Sequence, residues 1–203
     1  MPARGVGKNA VRRVGILGGT FDPIHNGHVI MAQTVLKKMN LDRVVFVPCR
    51  RPPHKVGHKV TPVRHRLSMI RSAIRGHAAF TVSDFEAKRP GKSYSIDTIR
   101  HLQGKYPPGT KLYFIVGQDA CGGINKWRNS RDILQLVEFI VVNRPGYLDR
   151  SRGPEHVPVP IPDMDISSSD VRRLVIQGYP VDRLVPRQVA EYISRHRLYR
   201  KKR

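Results

Sequence analysis

Five short apolar runs alternate along the chain with segments of helical spacing, and this alternation restricts the fold more than any other feature. The runs occupy residues 14–17, 44–47, 80–82, 112–116 and 139–142. Most are rich in the β-branched residues that favour buried strands, whereas the segments between them repeat apolar residues every three or four positions. Strands that alternate with helices form a parallel sheet that is covered on both faces. We therefore expect an α/β fold, a Rossmann-like doubly wound parallel sheet with helices on both faces.

The C-terminal part of the chain predicts two helices after an irregular connection. Residues 143–163 are rich in proline and glycine, which predicts a surface connection with one short strand at most. The first helix begins near Ser167 and stops at Gly178, a residue suited to a helix C-terminus. The second begins with Pro186, whose ring fits the first turn of a helix. We expect a C-terminal helical segment within the same domain.

The net charge is strongly positive. The 203 residues include 37 Lys and Arg against 15 Asp and Glu, a formal net charge of +22. The resulting electrostatic field attracts anionic partners. The candidates are nucleic acid, an anionic membrane and a small phosphorylated substrate. We expect basic, disordered tails at 1–12 and 199–203 and a single domain over 13–198. The apolar stretches are too short to span a bilayer or to form a signal sequence, which predicts a soluble, cytoplasmic protein.

The segment "GGTFDPIHNGH" at 18–28 directly follows the first predicted strand. In a doubly wound sheet, ligands bind where a strand turns into the next helix. Gly18 and Gly19 let backbone approach a ligand closely, and the amides near Gly27, at the helix start, attract anions. His25 and His28 are three residues apart, so both rings can donate to one phosphate group. The segment therefore predicts a phosphate site.

Other ligand sites fit these residues less well. The segment has neither the GxxxxGK[ST] pattern nor the GxGxxG pattern, which argues against a P-loop and a dinucleotide fingerprint. A metal on His25 and His28 would need further ligands, and no HExxH pattern provides them. Cys49 and Cys121 are far apart without CxxC pairing. We therefore expect no metal held by the protein alone.

"GGTFDPIHNGH" resembles the HxGH signature of the nucleotidyltransferase superfamily, and the fuller match is to bacterial nicotinate-nucleotide adenylyltransferases. Further motifs similar to that family follow in order, so the resemblance covers nearly the whole chain between its basic tails. They are "PPHK" at 52–55, "KSYSIDTI" at 92–99, "FIVGQD" at 114–119, Trp127, "NRPGY" at 143–147 and "ISSSDVRR" at 166–173.

The resemblance implies an enzyme of NAD biosynthesis. Such an enzyme joins ATP to nicotinate mononucleotide, with Mg²⁺, and releases nicotinate adenine dinucleotide (deamido-NAD) and pyrophosphate. The attacking phosphate oxygen is already ionised at neutral pH, so no general base is required. Catalysis can rest on holding two phosphates in line and on stabilising charge at the α-phosphate and the departing pyrophosphate.

The resemblance also implies roles for individual residues. Residues implied to act on the ATP phosphates in catalysis are His25, His28, Lys55 and Arg172. The residues implied to bind ATP without a catalytic role are Gly18, Gly19, Thr20, Phe21, Gly27, Gly117, Asp119, Ser167 and Ser168. Those implied to bind nicotinate mononucleotide are Ser93, Tyr94, Ser95, Trp127 and Arg144.

Two kinds of alternative stay open at this point. Within the same chemistry, a related nucleotidyltransferase could use nicotinamide mononucleotide, a phosphopantetheine precursor or CTP. From a different class, a basic nucleic-acid-binding protein would also account for the charge of +22, although one Trp offers little base stacking. The preference for the nicotinate form and the oligomeric state do not follow from the sequence.

Overall fold

Six parallel strands form one sheet in the computed structural model, which describes residues 11–50, 60–143, 153–162 and 165–200. The strand order is β3-β2-β1-β4-β5-β6, and every neighbouring pair is parallel. Because the order reverses next to β1, the carboxyl ends of β1 and β4 flank the position where such sheets bind ligands. The strands are β1 (Arg13–Gly19), β2 (Arg43–Pro48), β3 (Phe80–Val82), β4 (Lys111–Gly117), β5 (Glu138–Asn143) and β6 (His156–Pro160).

Helices connect the strands and cover both faces of the sheet. Alternate residues of β4 belong to two different hydrophobic clusters, with Phe114 in one and Ile115 in the other, as expected for a strand buried on both faces. The helices of the described residues are α1 (Asn26–Lys38), α2 (Val63–Ala73), α3 (Phe85–Lys88), α4 (Ser95–Lys105), α5 (Gln118–Cys121), α6 (Ser130–Leu136), α7 (Ser168–Gln177) and α8 (Arg187–Arg195), with a 3₁₀ turn at Ile124–Lys126.

The predicted fold class is confirmed. Each of the five predicted strands lies inside an observed one, and β6 is the short strand expected in 143–163. Helix α7 starts after Ser167 and ends at Gly178, which has a φ of 83° that favours glycine. The short helices α3, α5 and α6 were not predicted, because four to seven residues are too few to show a helical repeat.

The described residues extend to the edges of the predicted domain. Near the N-terminus, the backbone amides of Arg12 and Arg13 donate to the Asp42 carboxylate at 2.7 and 2.8 Å. At the other end, the Tyr199 hydroxyl donates to Asp22 at 2.8 Å. Arg12 and Tyr199, the residues of the two predicted tails that adjoin the domain, are thus hydrogen-bonded to it. The division into domain and tails stays a prediction. No helix in the described ranges is long and apolar enough to cross a membrane.

We expect the C-terminal helix to contribute substantially to stability, because α8 packs on α2 and Ile193 is only 3% exposed. The substitution Ile193→Ala should lower the free energy of unfolding by about 2–4 kcal/mol through lost burial and a residual cavity. Ile176, which is 45% exposed, provides the matched control Ile176→Ala, with a loss below about 0.5 kcal/mol. Urea denaturation of both variants tests this, and equal losses would contradict the assignment of α8 to the core.

Candidate functional site

A sharp turn after β1 forms the floor of the site. Gly19 ends the strand, and a Cβ atom there would lie 3.0 Å from the Phe21 ring, closer than side-chain carbons normally approach. Phe21 itself has a φ of 49°, in the left-handed region, and is 2% exposed. Its ring packs edge-on against the His28 ring, with centroids 5.0 Å apart. The glycine is therefore required where the phenylalanine ring folds back beneath the histidine.

His25 and His28 come together at the amino end of α1. Their ring centroids are 3.7 Å apart, and the His25 backbone amide donates to Nδ1 of His28 at 3.3 Å. With Nδ1 accepting, the proton of a neutral His28 ring is on Nε2, which is then available as a donor. Nδ1 of His25 is buried and has no hydrogen-bond partner among the described residues. An unpaired buried ring nitrogen is costly to the fold and is typical of a binding site.

Both imidazoles are uncharged at neutral pH unless an anion is near. Burial lowers the pKa of His25 to about 4. Burial, and to a lesser extent the neighbouring His25, lowers the pKa of His28 well below its usual value. A phosphate within hydrogen-bond distance would raise both pKa values, because it stabilises the protonated form. The predicted pair of phosphate ligands therefore consists of neutral donors that can gain charge when the anion binds.

A cavity of about 110 Å³ opens beside the histidine pair. One wall is the first turn of α1, and the other is the segment that leads from β6 towards α7. The main lining residues are His25, Gly27, His28, Ile161, Pro162 and Ile166. The rings thus border a partly apolar space, where hydrogen bonds to a ligand are stronger than in water.

Side chains in the first turns of helix α7 form hydrogen bonds to the loop between β1 and α1. Ser167 caps the helix, since its hydroxyl accepts from the Asp170 amide at 3.1 Å. The Ser168 hydroxyl donates to the Pro23 carbonyl at 2.9 Å. The Arg172 guanidinium donates to the Asp22 carbonyl at 2.8 Å. The predicted residues Ser168 and Arg172 therefore contact the loop between β1 and α1, and Ser167 caps the helix beside them. The hydroxyls of both serines already make hydrogen bonds within the protein.

Arg66, an arginine of α2 that is only 1% exposed, is a residue of the site that no motif in the sequence indicates. Its guanidinium donates to the Thr20 carbonyl at 2.6 Å, to the Cys49 carbonyl at 2.8 Å and to the Thr61 carbonyl at 2.8 Å. It thereby joins the turn after β1 to the turn after β2. A signal existed, because Arg66 lies three residues before Met69, on the buried face of an amphipathic helix.

The predicted mononucleotide residues converge at a second place on the same sheet edge. Tyr94 and Trp127 both pack against the hydrophobic cluster that contains Phe114. The Arg128 guanidinium lies 4.7 Å above the Tyr94 ring, which joins the two segments through a cation–π contact. The half-buried Trp127 meets Phe114 edge-on, with centroids 5.4 Å apart. An aromatic surface therefore lies between the "KSYSIDTI" segment and the chain after α5.

A buried carboxyl group supports the turn that contains Ser93 and Ser95. The Ser93 hydroxyl accepts from the Arg50 amide at 3.1 Å, which connects this turn to the end of β2. Glu86 accepts from the Thr98 hydroxyl at 2.5 Å. Burial raises the pKa of Glu86, although hydrogen bonds from Thr98 and Ser93 oppose this. The turn is thus held from beneath by polar contacts.

The remaining predicted residues have different outcomes. Gly117 ends β4, and Asp119 is exposed in α5 directly after it, at the carboxyl edge of the sheet beside the β1 turn. Lys55 and Arg144 lie outside the described residues. Within the described ranges no group of three or more His, Cys, Asp or Glu side chains could hold a metal ion.

Comparison with known sequences gives one family. The cytidylyltransferase-like family model matches residues 16–174. A protein of Symbiobacterium thermophilum, named probable nicotinate-nucleotide adenylyltransferase, is 45% identical over 92% of this chain and 95% of its own length. A protein of the same name from Thermomicrobium roseum is 39% identical over 93% of this chain and 92% of its own length.

Solved structures agree with the fold. The nicotinic acid mononucleotide adenylyltransferase of Plasmodium falciparum, complexed with NaAD, superposes with a TM-score of 0.74 at 22% identity, over 93% of this chain and 97% of that one. A putative nicotinate-nucleotide adenylyltransferase of Vibrio parahaemolyticus gives a TM-score of 0.66 at 18% identity, over 94% and 97% of the two chains. At these identities the likeness supports the same chain topology.

The low pKa of His25 predicts a pH-dependent stability. Between pH 4 and 6.5 the unfolded chain binds a proton at His25 that the folded chain does not. The free energy of unfolding should therefore fall as the pH drops through this window, by up to about 3 kcal/mol from this residue. The substitution His25→Gln removes the titrating ring and should make the dependence shallower. Urea denaturation at a series of pH values compares the two slopes, and parallel slopes would contradict the burial of an uncharged His25.

Proposed function

The chain belongs to the nicotinate-nucleotide adenylyltransferase family, and we propose that it transfers the adenylyl group of ATP to nicotinate mononucleotide. The products are nicotinate adenine dinucleotide and pyrophosphate, so the reaction is a step of NAD biosynthesis. The observation that carries the proposal is the histidine pair at the amino end of α1, with an unpaired buried nitrogen, at the switch point of the sheet. This arrangement binds phosphate without a protein-held metal or a nucleophilic side chain.

The reaction requires a protein that positions the phosphates of ATP and nicotinate mononucleotide and stabilises their negative charge. A phosphate oxygen of nicotinate mononucleotide attacks the α-phosphorus of ATP and forms a new P–O bond, while the bond from that phosphorus to the bridging oxygen of pyrophosphate breaks. The attacking oxygen is ionised at neutral pH, so no side chain has to remove a proton. The catalytic contribution is therefore alignment of the two phosphates and stabilisation of charge on the α-phosphoryl oxygens.

His28 is suited to the α-phosphate. Its Nδ1 accepts from the His25 amide, which leaves Nε2–H as the donor to a phosphoryl oxygen. His25 lines the same cavity, and an anion there would favour protonation of its ring, in which both nitrogens are donors. As negative charge grows on the α-phosphate, both rings become better donors. Stabilisation is thus greatest when the charge is greatest, which favours the transition state.

The amino end of α7 serves the departing pyrophosphate. Its first turn faces the β1 loop through Ser168, and Arg172 lies one turn further along the same helix. Backbone amides and a guanidinium there bind the β- and γ-phosphates. Lys55 is assigned to the same phosphates and Arg144 to the nicotinate carboxylate, both by the motifs alone.

The aromatic surface near Trp127 is assigned to the pyridine ring of the mononucleotide. Trp127 is half-buried, so part of the indole is available for stacking, and Tyr94 with Arg128 forms a wall beside it. The Ser93–Ser95 turn supplies backbone amides at the start of α4, which suits the negative nicotinate carboxylate. Selectivity for the acid over the amide then rests on donors aimed at this group.

A divalent cation accompanies the nucleotide in this enzyme family, and the proposal includes Mg²⁺ as this ion. Mg²⁺ keeps several waters and is commonly bound through substrate phosphates with one or two carboxylates. Bound with ATP, the ion would neutralise charge on the phosphates. Asp119, exposed in α5 directly after β4, stays assigned to ATP binding near the ribose hydroxyls, by the motif alone.

The acceptor and donor preferences test the function directly. We expect pyrophosphate release from ATP and Mg²⁺ to be faster with nicotinate mononucleotide than with nicotinamide mononucleotide, because the site offers donors to a carboxylate. A coupled pyrophosphate assay with both acceptors, and with a phosphopantetheine precursor, measures this preference. CTP in place of ATP tests the nucleotide. Absence of release with either mononucleotide would refute the proposal.

The role of the histidine pair is tested by His28→Ala. We expect kcat to fall by about 10²-fold or more, since a donor to the α-phosphate is lost, with a modest loss of about 1 kcal/mol in the free energy of unfolding because the ring also accepts from the His25 amide. His77, which precedes β3 at the opposite edge of the sheet, provides the control His77→Ala with near wild-type turnover. Steady-state kinetics and thermal unfolding of both variants decide the matter. Normal turnover in His28→Ala would remove that ring from the mechanism.

A further inference from the structure

The Asp22 carboxylate connects the phosphate loop to the C-terminal end of the chain. Asp22 follows Phe21 in the turn after β1 and is 6% exposed. The Tyr199 hydroxyl donates to Oδ1 at 2.8 Å, and the Thr61 amide donates to Oδ2 at 3.2 Å. The carbonyl of Asp22 accepts from Arg172 at 2.8 Å. One residue of the loop therefore receives contacts from three distant parts of the sequence.

Tyr199 reaches this carboxylate because the chain folds back after α8. The amide of Leu198 donates to the carbonyl of Ile193 at 3.0 Å, which closes the turn. Arg197 and Tyr199 have φ values of 50° and 61°, in the left-handed region that residues with side chains seldom adopt. Two such residues within three positions indicate that tertiary contacts impose this conformation. The contact with Asp22 is one of them.

The electrostatic surroundings of Asp22 make each of its donors important. Burial of a polar group is costly unless hydrogen bonds replace those it made to water. The Arg66 guanidinium interacts favourably with Asp22 and also binds the Thr20 carbonyl at 2.6 Å. Burial and the nearby Asp22 raise the pKa of Tyr199, so the hydroxyl keeps its proton and donates it to the carboxylate.

The consequences of losing this donor extend to the histidines. Asp22 without the tyrosine hydroxyl would have to turn towards water or towards Arg66. The neighbouring Phe21 ring, which packs edge-on against His28 at 5.0 Å, would move with the turn. Since protein interiors are densely packed, a shift of the turn would displace His28 from the phosphate.

We propose that Tyr199 is a positioning residue of the nucleotide site, which acts through Asp22 to fix the turn that binds the ATP phosphates. The inference rests on the proposed function in that its ligand is ATP. It assigns a functional role to residues that a sequence pattern places in a basic tail. The hydroxyl, not the positive charge of the C-terminus, is the group that acts.

The substitution Tyr199→Phe removes only this hydroxyl. We expect the Kd of Mg-ATP and the KM for ATP to rise about tenfold, as for loss of a hydrogen bond to a charged group. The KM for nicotinate mononucleotide should stay within about twofold, because none of its predicted residues in the described ranges has a hydrogen bond to Asp22. Tyr179→Phe, at a tyrosine that is 61% exposed, is the matched control and should retain wild-type values. Calorimetry and steady-state kinetics give these quantities.

A double-mutant cycle tests whether Tyr199 acts through Asp22. If it does, Asp22→Ala combined with Tyr199→Phe should bind Mg-ATP about as weakly as Asp22→Ala alone. Additive losses would overturn the proposal, and so would a Tyr199→Phe protein with a lower melting temperature but unchanged affinity for Mg-ATP. If the wild-type protein binds ATP but does not adenylate nicotinate mononucleotide, the proposed function fails while the comparison of Kd values still decides the role of Tyr199.

Discussion

The geometry of the site depends on one buried cation, the guanidinium of Arg66. The carboxyl ends of β1 and β2 must turn sharply, and their carbonyl groups then have no partners in the sheet. A guanidinium carries five N–H donors in a fixed plane, and four carbonyls, those of Thr20, Cys49, Arg50 and Thr61, accept from it here. Buried carbonyls left without donors would each be costly. The loop between β1 and α1 is thus fixed by an arginine that is itself buried.

The polar contacts around this loop form a continuous set. Arg66 binds the carbonyl of Thr20, Arg172 binds the carbonyl of Asp22, and Tyr199 binds its carboxylate. These donors come from α2, α7 and the segment after α8. Three segments that are far apart in sequence therefore determine the position of a single turn, which explains how a loop with little regular structure can hold its shape.

The sequence predicts some parts of this arrangement well and others poorly, for physical reasons. Strand and helix positions follow from local patterns, because β-branched runs and helical repeats are encoded within a few residues. Gly19 and His28 are equally local, since the glycine and the ring serve one turn. Asp22 and Tyr199, in contrast, are separated by 177 residues, and no local pattern specifies their contact. Tyr199 was assigned to a tail because few apolar residues surround it in sequence.

The large positive charge and the uncharged histidines act at different distances. A net charge of +22 produces a field that attracts anionic nucleotides from beyond contact distance, but such a field does not distinguish one anion from another. In the proposed function, contact with the phosphate is made by the rings of His25 and His28, which desolvation keeps uncharged and which therefore offer directed hydrogen bonds and not a diffuse charge. Permanent cations such as Arg172 also stabilise charge that develops on the phosphates, so the two kinds of group act together in the proposed mechanism. In this proposal, a ring that gains a proton as negative charge accumulates beside it stabilises the transition state more than the bound substrate, and the burial that lowers the pKa of both histidines provides this difference.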